Sequence, residues 1–267
     1  MSQAPLVVAH RGSSHVLAEH TLGAYLRAIE EGADALECDV RLTRDGHLVC
    51  VHDRRVDRTS DGRGVVSEFD LDDLLGFDFG SWHRTPSDAY IEERDSTEAP
   101  VLTLDRLLET VVGTGRDVRL LIETKHPTRY GGLVEQQLVR LLHKHGLATP
   151  ADRASSPVAV MSFSPVALRR MRLLAPALPT VSLWWRRVPP LRRDGSVSAA
   201  ADIAGPWIDL LKADPGYVER AHARGTPVYV WVCDEPADID LALSLGVDAV
   251  ITNRPAAVLG RLRRRTD

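Results

Sequence analysis

The chain has 267 residues, with 33 Lys and Arg against 37 Asp and Glu, a formal net charge of −4 when the histidines are neutral. A length suited to one α/β domain of roughly 250 residues and a hydrophobic share of 44% exclude global disorder. The near-neutral charge excludes a general attraction to nucleic acid or anionic membrane, and three scattered cysteines (Cys38, Cys50, Cys233) exclude a disulfide framework and point to a reducing compartment.

Met1 to Pro5 precede the first apolar run without the basic and long apolar regions of a secretory signal. No run reaches the roughly 18 apolar residues of a membrane helix. A cytoplasmic location with no stable membrane insertion is therefore expected. Residues 6–10 form a short apolar strand, and residues 20–32 show helical spacing through Leu22, Tyr25, Leu26 and Ile29 up to a terminal glycine. Residues 35–42 and 48–52 are strand-like, and a polar stretch punctuated by aromatics follows over 54–99. Thr103 caps a predicted helix over 104–112. Beyond it, strands are expected at 119–125, 157–163, 180–185, 208–213, 227–233 and 249–252, with helices at 133–143, 165–174, 217–224 and 237–245.

Alternating β and α units of this size imply parallel strands with helices outside, and the length favours a (β/α)₈ TIM barrel over an open sheet. No GxGxxG follows the first strand, which argues against a dinucleotide fold. The pattern holds nine strand candidates for eight barrel positions. Only Thr43 to His47 separate the second and third, too few for a crossover helix, so this pair is a local hairpin or the barrel is irregular there.

Side chains at i and i+2 of a strand share a face, so Glu37 and Asp39 lie together above Ala35. His10 ends the first strand, His52 the third candidate, and Glu123 and Lys125 the fourth. In a parallel barrel these carboxyl ends meet at one mouth. A single strand-end histidine or glutamate is ordinarily a surface cap or a helix-paired charge. Seven ionisable groups on four apolar strands, Arg11 included, are costly to bury unless they are paired or bind a metal. Three carboxylates suit a hard cation such as Mg²⁺ or Ca²⁺, the two histidines keep zinc open, and Arg11 and Lys125 suit an anionic group such as phosphate. His10 and His52 supply a general base and acid, and the whole set describes phosphoryl transfer.

These residues resemble the glycerophosphodiester phosphodiesterase family. The resemblance runs through His10-Arg11-Gly12, Glu19-His20-Thr21, Leu36-Glu37-Cys38-Asp39-Val40, Val51-His52-Asp53, Arg58-Thr59, Glu123-Thr124-Lys125, Val230-Trp231-Val232 and Thr252-Asn253-Arg254-Pro255. It implies a somewhat irregular TIM barrel occupying 1–267 as one domain, with an insertion over 54–99 after the third strand. It further implies hydrolysis of a small-molecule glycerophosphodiester to glycerol 3-phosphate and an alcohol with a divalent cation. By position, His10 corresponds to the proton acceptor, His52 to the donor, Glu37, Asp39 and Glu123 to metal ligands, and Arg11 and Lys125 to phosphate contacts. Where the family commonly reads Pro-Glu-Asn-Thr, this chain has Ala18-Glu19-His20-Thr21, keeping the carboxylate and hydroxyl and exchanging an amide for an imidazole.

Secondary expectations attach to nearby residues. Asp53 orients His52 or shapes a turn. Trp231, on a face with Tyr229 and Cys233, walls the glycerol pocket or fills the core. Cys50 is expected to point inward below His52, and Cys38 outward to the helices. Residues 184–193 mix tryptophan, proline and arginine, as a surface loop would. A phosphodiesterase acting on a lysophospholipid or phosphoinositide would use an apolar groove built from Phe69, Phe77, Phe79, Trp82, Trp184 and Trp185. A non-catalytic sensor would lack a histidine or a carboxylate of the set, and none is missing.

Overall fold

The computed structural model describes residues 4–83 and 99–266. The first unit sets the pattern: β1 (Leu6–His10) is an apolar strand buried at its centre, and α1 (Leu22–Glu31) returns over it. The Thr21 hydroxyl caps α1 by accepting from the amide of Ala24, and Gly32, with φ of +96°, ends it in the left-handed conformation. Ala24, Tyr25, Ala28 and Ile29 form the buried face. β2 (Ala35–Leu42) then pairs parallel with β1.

β3 (Leu48–Cys50) resolves the surplus strand. It turns back antiparallel on β2, with Val40 opposite Cys50 and Leu42 opposite Leu48, and takes no place in the barrel wall. Because it continues the pleat of β2, Cys50 lies on the helix-facing side with Cys38 and Val40, not inward below His52. Cys38 faces the helices as expected.

The segment after β3 has its own small core. Val51, Val56, Val66, Leu74 and Phe79 are buried together with Phe69 and Phe77 packed on them, around a 3₁₀ turn at Val66–Glu68 and the short helix α2 (Leu71–Leu75). Of the stretch expected as an insertion, residues 84–98 lie outside the described residues.

The rest of the chain builds the wall: α3 (Leu104–Gly113, capped by Thr103), β4 (Arg119–Thr124), α4 (Leu133–Lys144), β5 (Val158–Ser162), α5 (Pro165–Leu174) and β6 (Thr180–Trp184). After β6, a 3₁₀ turn at Pro190–Arg192 stands where an α-helix would be, so this unit departs from the regular repeat. Next come β7 (Ile203–Pro206), α6 (Ile208–Ala213), α7 (Tyr217–His222), β8 (Tyr229–Val230), α8 (Pro236–Leu245), β9 (Ala249–Thr252) and α9 (Pro255–Thr266). Residues 208–213 are thus a helix, not the expected strand. Ile208 and Leu211 are buried one turn apart, and Lys212 pairs with Asp209 at 2.9 Å along the same helix, a spacing that a strand would send to opposite faces. The true strand lies just before, in Ile203-Ala204-Gly205-Pro206.

Around the sheet the order is β7-β6-β5-β4-β2-β1-β9-β8, all parallel, and bridges Ala204–Val228 and Trp207–Trp231 bring β7 and β8 together. The result is a nearly closed eight-stranded TIM barrel. Its interior below the mouth is filled by Val8, Ala35, Leu121, Val181, Ile203 and Ile251, which shields the polar groups above them from solvent below. Among the described residues, no helix is long and apolar enough to cross a membrane.

Candidate active site

Strand register brings the charged residues together. In the parallel pairs, His10 stands beside Glu37, and Asp39 beside Glu123, so all four side chains emerge at the carboxyl-terminal mouth. His10, Arg11, Glu37, His52, Glu123 and Lys125 line one cavity of about 430 Å³ there. The turn after β1 is tight: Arg11 and Gly12 have φ of +59° and +86°, and a Cβ on Gly12 would stand 2.6 Å from the backbone carbon of Ala24. Glycine alone fits that contact, the physical basis of the His-Arg-Gly sequence. Arg11 carries the strained left-handed conformation, which directs its guanidinium over the carboxylates.

Asp39 is the hub. It is 1% exposed, and its oxygens meet Arg11 Nε at 3.0 Å, Lys125 Nζ at 3.1 Å and His20 Nε2 at 3.0 Å. Burial alone would raise its pKa, but Lys125, Arg11 and His20 overcome that and hold it well below the usual carboxylate range. Lys125 also pairs with Glu123 at 2.9 Å, and the two carboxylates keep the ammonium charged despite its burial. Glu37 and Glu123 behave oppositely: burial, then the negative charge of Asp39, pushes both upward.

This set fits a divalent cation. One oxygen from each of Glu37, Asp39 and Glu123 lies within 4.8 Å of the others, all three residues are buried, and the donors are oxygen only, as hard cations prefer. The upward push on Glu37 and Glu123 comes from burial and then from the negative charge of Asp39, both of which favour a cation held among them. His20, the imidazole in place of an amide, supports Asp39 from behind, with Nδ1 2.8 Å from the Tyr25 hydroxyl.

The two cavity histidines are held by partners of different character. His10 Nδ1 lies 2.7 Å from Asn253 Oδ1, which also accepts from the Ser14 hydroxyl, while Asn253 Nδ2 donates to Asp234. Asp234 only accepts, so the amide orientation is fixed, the His10 proton sits on Nδ1, and Nε2 keeps its lone pair. Burial and the nearby Arg11 lower His10 to about 3. His52 Nδ1 instead donates to the Asp53 carboxylate at 2.6 Å, and Arg41 fixes the His52 carbonyl with two N–H bonds of 3.0 and 2.7 Å. Burial, Arg11 and Lys125 bring His52 to about 4, against the upward pull of Asp39 and Asp53.

The other side of the cavity is apolar: Met161, Phe163, Leu183, Trp185, Trp207, Trp231, Val232 and Ile251. Phe163 and Trp231 meet edge to face at 5.5 Å, and Trp185 and Trp207 at 6.4 Å. Trp231 both lines the cavity and packs on the barrel interior, while Cys233 lies in a separate helix-side cluster. The aromatic groove expected for a lipid does not assemble from the residues named for it. Phe69, Phe77 and Phe79 are spent on the core after β3, Trp184 packs on Tyr217, Trp82 sits beside Arg58, and only Trp185 reaches the cavity.

Sequence reading left Asn253, Arg41, Glu19 and Arg58 without roles and overlooked Trp207. Asn253 directly follows the last residue of β9, so the strand-end rule that found His10 applies to it equally. Trp207 was hidden by the misplaced seventh strand.

Comparison with known proteins locates this geometry. Residues 10–257 match the model of the glycerophosphoryl diester phosphodiesterase family. A Mycobacterium tuberculosis protein named a probable glycerophosphodiester phosphodiesterase is 47% identical over 252 residues, 94% of this chain and 90% of that one. A Bacillus subtilis glycerophosphodiester phosphodiesterase is 33% identical, covering 94% and 84%. Among solved structures, a phosphodiesterase of Oleispira antarctica in complex with the product sn-glycerol-3-phosphate superposes with a TM-score of 0.82 at 25% identity, covering 97% of each chain.

Proposed function

The chain belongs to the glycerophosphoryl diester phosphodiesterase family, and on that premise we propose that it hydrolyses glycerophosphodiesters to glycerol 3-phosphate and an alcohol, with His10 accepting and His52 donating the proton. The observation that carries the assignment is the difference between the two histidine partners. A neutral amide leaves the His10 imidazole uncharged, with a free lone pair on Nε2, as a base requires. A carboxylate partner favours the imidazolium of His52, as an acid requires. Burial, then Arg11 and Lys125, depress His52; a phosphodiester anion beside the two cations would oppose their share of that depression.

An oxygen nucleophile, the glycerol 2-hydroxyl or water, attacks phosphorus as its proton passes to His10 Nε2. The bond from phosphorus to the head-group oxygen breaks, that oxygen keeps the electron pair, and His52 Nε2–H protonates it. With water as nucleophile this yields glycerol 3-phosphate directly; with the 2-hydroxyl it yields a cyclic phosphate, which water opens as its proton passes to the now neutral His52 and the proton on His10 passes to the departing 2-oxygen. Arg11 and Lys125 hold the phosphoryl oxygens. Glu37, Asp39 and Glu123 would hold Mg²⁺ or Ca²⁺, which when bound supplies Lewis-acid stabilisation of charge on phosphate.

Release of glycerol 3-phosphate from glycerophosphocholine, glycerophosphoethanolamine and a lysophospholipid, with and without chelator, tests this reading. Turnover of the water-soluble diesters, lost on chelation, is expected. His10→Ala and His52→Ala each lower kcat by about 10²–10⁴-fold. Full activity in either variant removes the acid–base assignment, a strong preference for the lysophospholipid moves the substrate class, and binding without turnover leaves a sensor.

A further inference from the structure

One residue from outside the strand ends touches both sides of this machinery. Arg58 lies in the segment after β3, where its guanidinium bridges two loops. Nη1 and Nη2 donate to the two oxygens of Glu19, each at 2.8 Å, and Nε donates to Asp53 at 2.7 Å. Each carboxylate also holds a residue of the site: Glu19 accepts from Arg11 Nη1 at 2.9 Å, and Asp53 accepts from His52 Nδ1 at 2.6 Å. A continuous chain therefore runs His52–Asp53–Arg58–Glu19–Arg11–Asp39, with the ring of Trp82 beneath the guanidinium at 5.9 Å.

We propose that Arg58 is a positioning residue, which fixes Asp53 so that His52 presents Nε2 to the departing head-group oxygen and fixes Glu19 so that Arg11 stays over the phosphate. The inference rests on the reading of His52 as proton donor. The geometry requires arginine. A planar fork with three separately directed N–H groups reaches both oxygens of one carboxylate and one oxygen of a second, whereas the ammonium of lysine is a single point charge. Without the bridge, Asp53, on a half-exposed loop, keeps only its bond to His52. Its carboxylate then turns to water and the His52 ring turns with it. An ordinary exposed ion pair would contribute little. Arg58 differs because Glu19 and Asp53 each also hold a group in the cavity, Glu19 through the oxygen it shares with Arg58 Nη2 and Asp53 through its other oxygen.

Leaving-group dependence separates positioning from general structural support. Choline leaves as a poor alkoxide and needs a proton, whereas 4-nitrophenolate leaves without one. Kinetics are measured on glycerophosphocholine and on the 4-nitrophenyl ester of glycerol 3-phosphate for Arg58→Gln, Arg58→Lys, Asp53→Asn and His52→Ala, with thermal unfolding of each. For Arg58→Gln, kcat on the choline ester is expected to fall by about 10–100-fold, the scale of a small misplacement of a reacting group. On the nitrophenyl ester it should fall by only about threefold, with the unfolding temperature close to that of the parent. Asp53→Asn reproduces the discrimination, and Arg58→Lys recovers little of the loss because it restores charge without the fork. Equal losses on both esters, or no loss on either, while His52→Ala still discriminates, overturn the role of Arg58 alone. If His52→Ala itself fails to discriminate, the donor assignment falls and the coupling with it.

Discussion

Around the mouth of the barrel, the ends of β1, β2 and β4 and the loop after β3 carry His10, Glu37, Asp39, His52, Glu123 and Lys125, while the ends of β5 and β6 and the stretches after β7 and β8 carry Phe163, Trp185, Trp207 and Trp231. Both sides come from strands of one sheet, and they are held in opposite ways. On the charged side position comes from ion pairs and hydrogen bonds, with Asp39 alone meeting Arg11, Lys125 and His20 within 3.1 Å. On the apolar side position comes from packing. The indole N–H of Trp231 is committed to the Gly205 carbonyl at 2.8 Å, so it does not compete for the substrate's charge. On the proposed hydrolysis the two sides divide the work: the charged groups would stabilise developing charge, and the apolar wall would exclude water so that those groups act at low dielectric.

Asp39→Asn tests the charged side most severely. It removes the charge that Arg11, Lys125 and His20 share, leaving two buried cations undercompensated. Activity should fall on the order of 10³-fold, and stability by about 3–5 kcal/mol, measured by kinetics and denaturant unfolding. An effect on KM with kcat preserved would show that this side binds substrate without driving the chemistry.

Trp231→Ala is the counterpart on the apolar side. Removing wall area costs ground and transition state alike, so KM should rise about tenfold with kcat within about threefold of the parent. A kcat loss as deep as that of Asp39→Asn would dissolve the division between the two sides.

The same contrast governs what could be read from sequence. Charged residues at the ends of apolar strands are anomalous, because burial penalises them, and that anomaly placed His10, Arg11, Glu37, Asp39, His52, Glu123 and Lys125 at one mouth before any coordinates. Phe163, Trp185 and Trp207 are not anomalous, since aromatic residues fill every core; of the six aromatics named for a lipid groove, Phe69, Phe77 and Phe79 belong to the core after β3 and Trp185 alone lines the cavity. The barrel was legible from its alternation. The seventh strand was not, because Ile203-Ala204-Gly205-Pro206 is short, ends in proline and is followed by a helix whose apolar residues look strand-like one at a time. Asn253 and Arg58 act through partners distant in sequence, Asn253 on His10 and Arg58 on Glu19, a relation that only the folded register supplies.

An effect on stability and its pH dependence, not on turnover, concerns Glu19, the link between Arg58 and Arg11. Burial would raise its pKa, but hydrogen bonds from Arg58 and the charge of Arg11 bring it down to about 2. A carboxylate depressed in the folded state adds stability above its unfolded pKa, and that stability is lost as pH falls toward the folded value. The window therefore runs from the ordinary glutamate range near 4.5 down to about 2. Glu19→Gln should be less stable than the parent at neutral pH by on the order of 2–3 kcal/mol, and the gap should narrow as pH is lowered from about 5 to about 3, because only the parent has this proton to gain. Unfolding temperatures of both proteins across that range measure it. A gap that stays constant would mean that Glu19 contributes packing alone. A gap that closes would place part of the stability of the charged side in ionised pairs, a contribution that the apolar side, with no titrating group in its wall, has no means to lose.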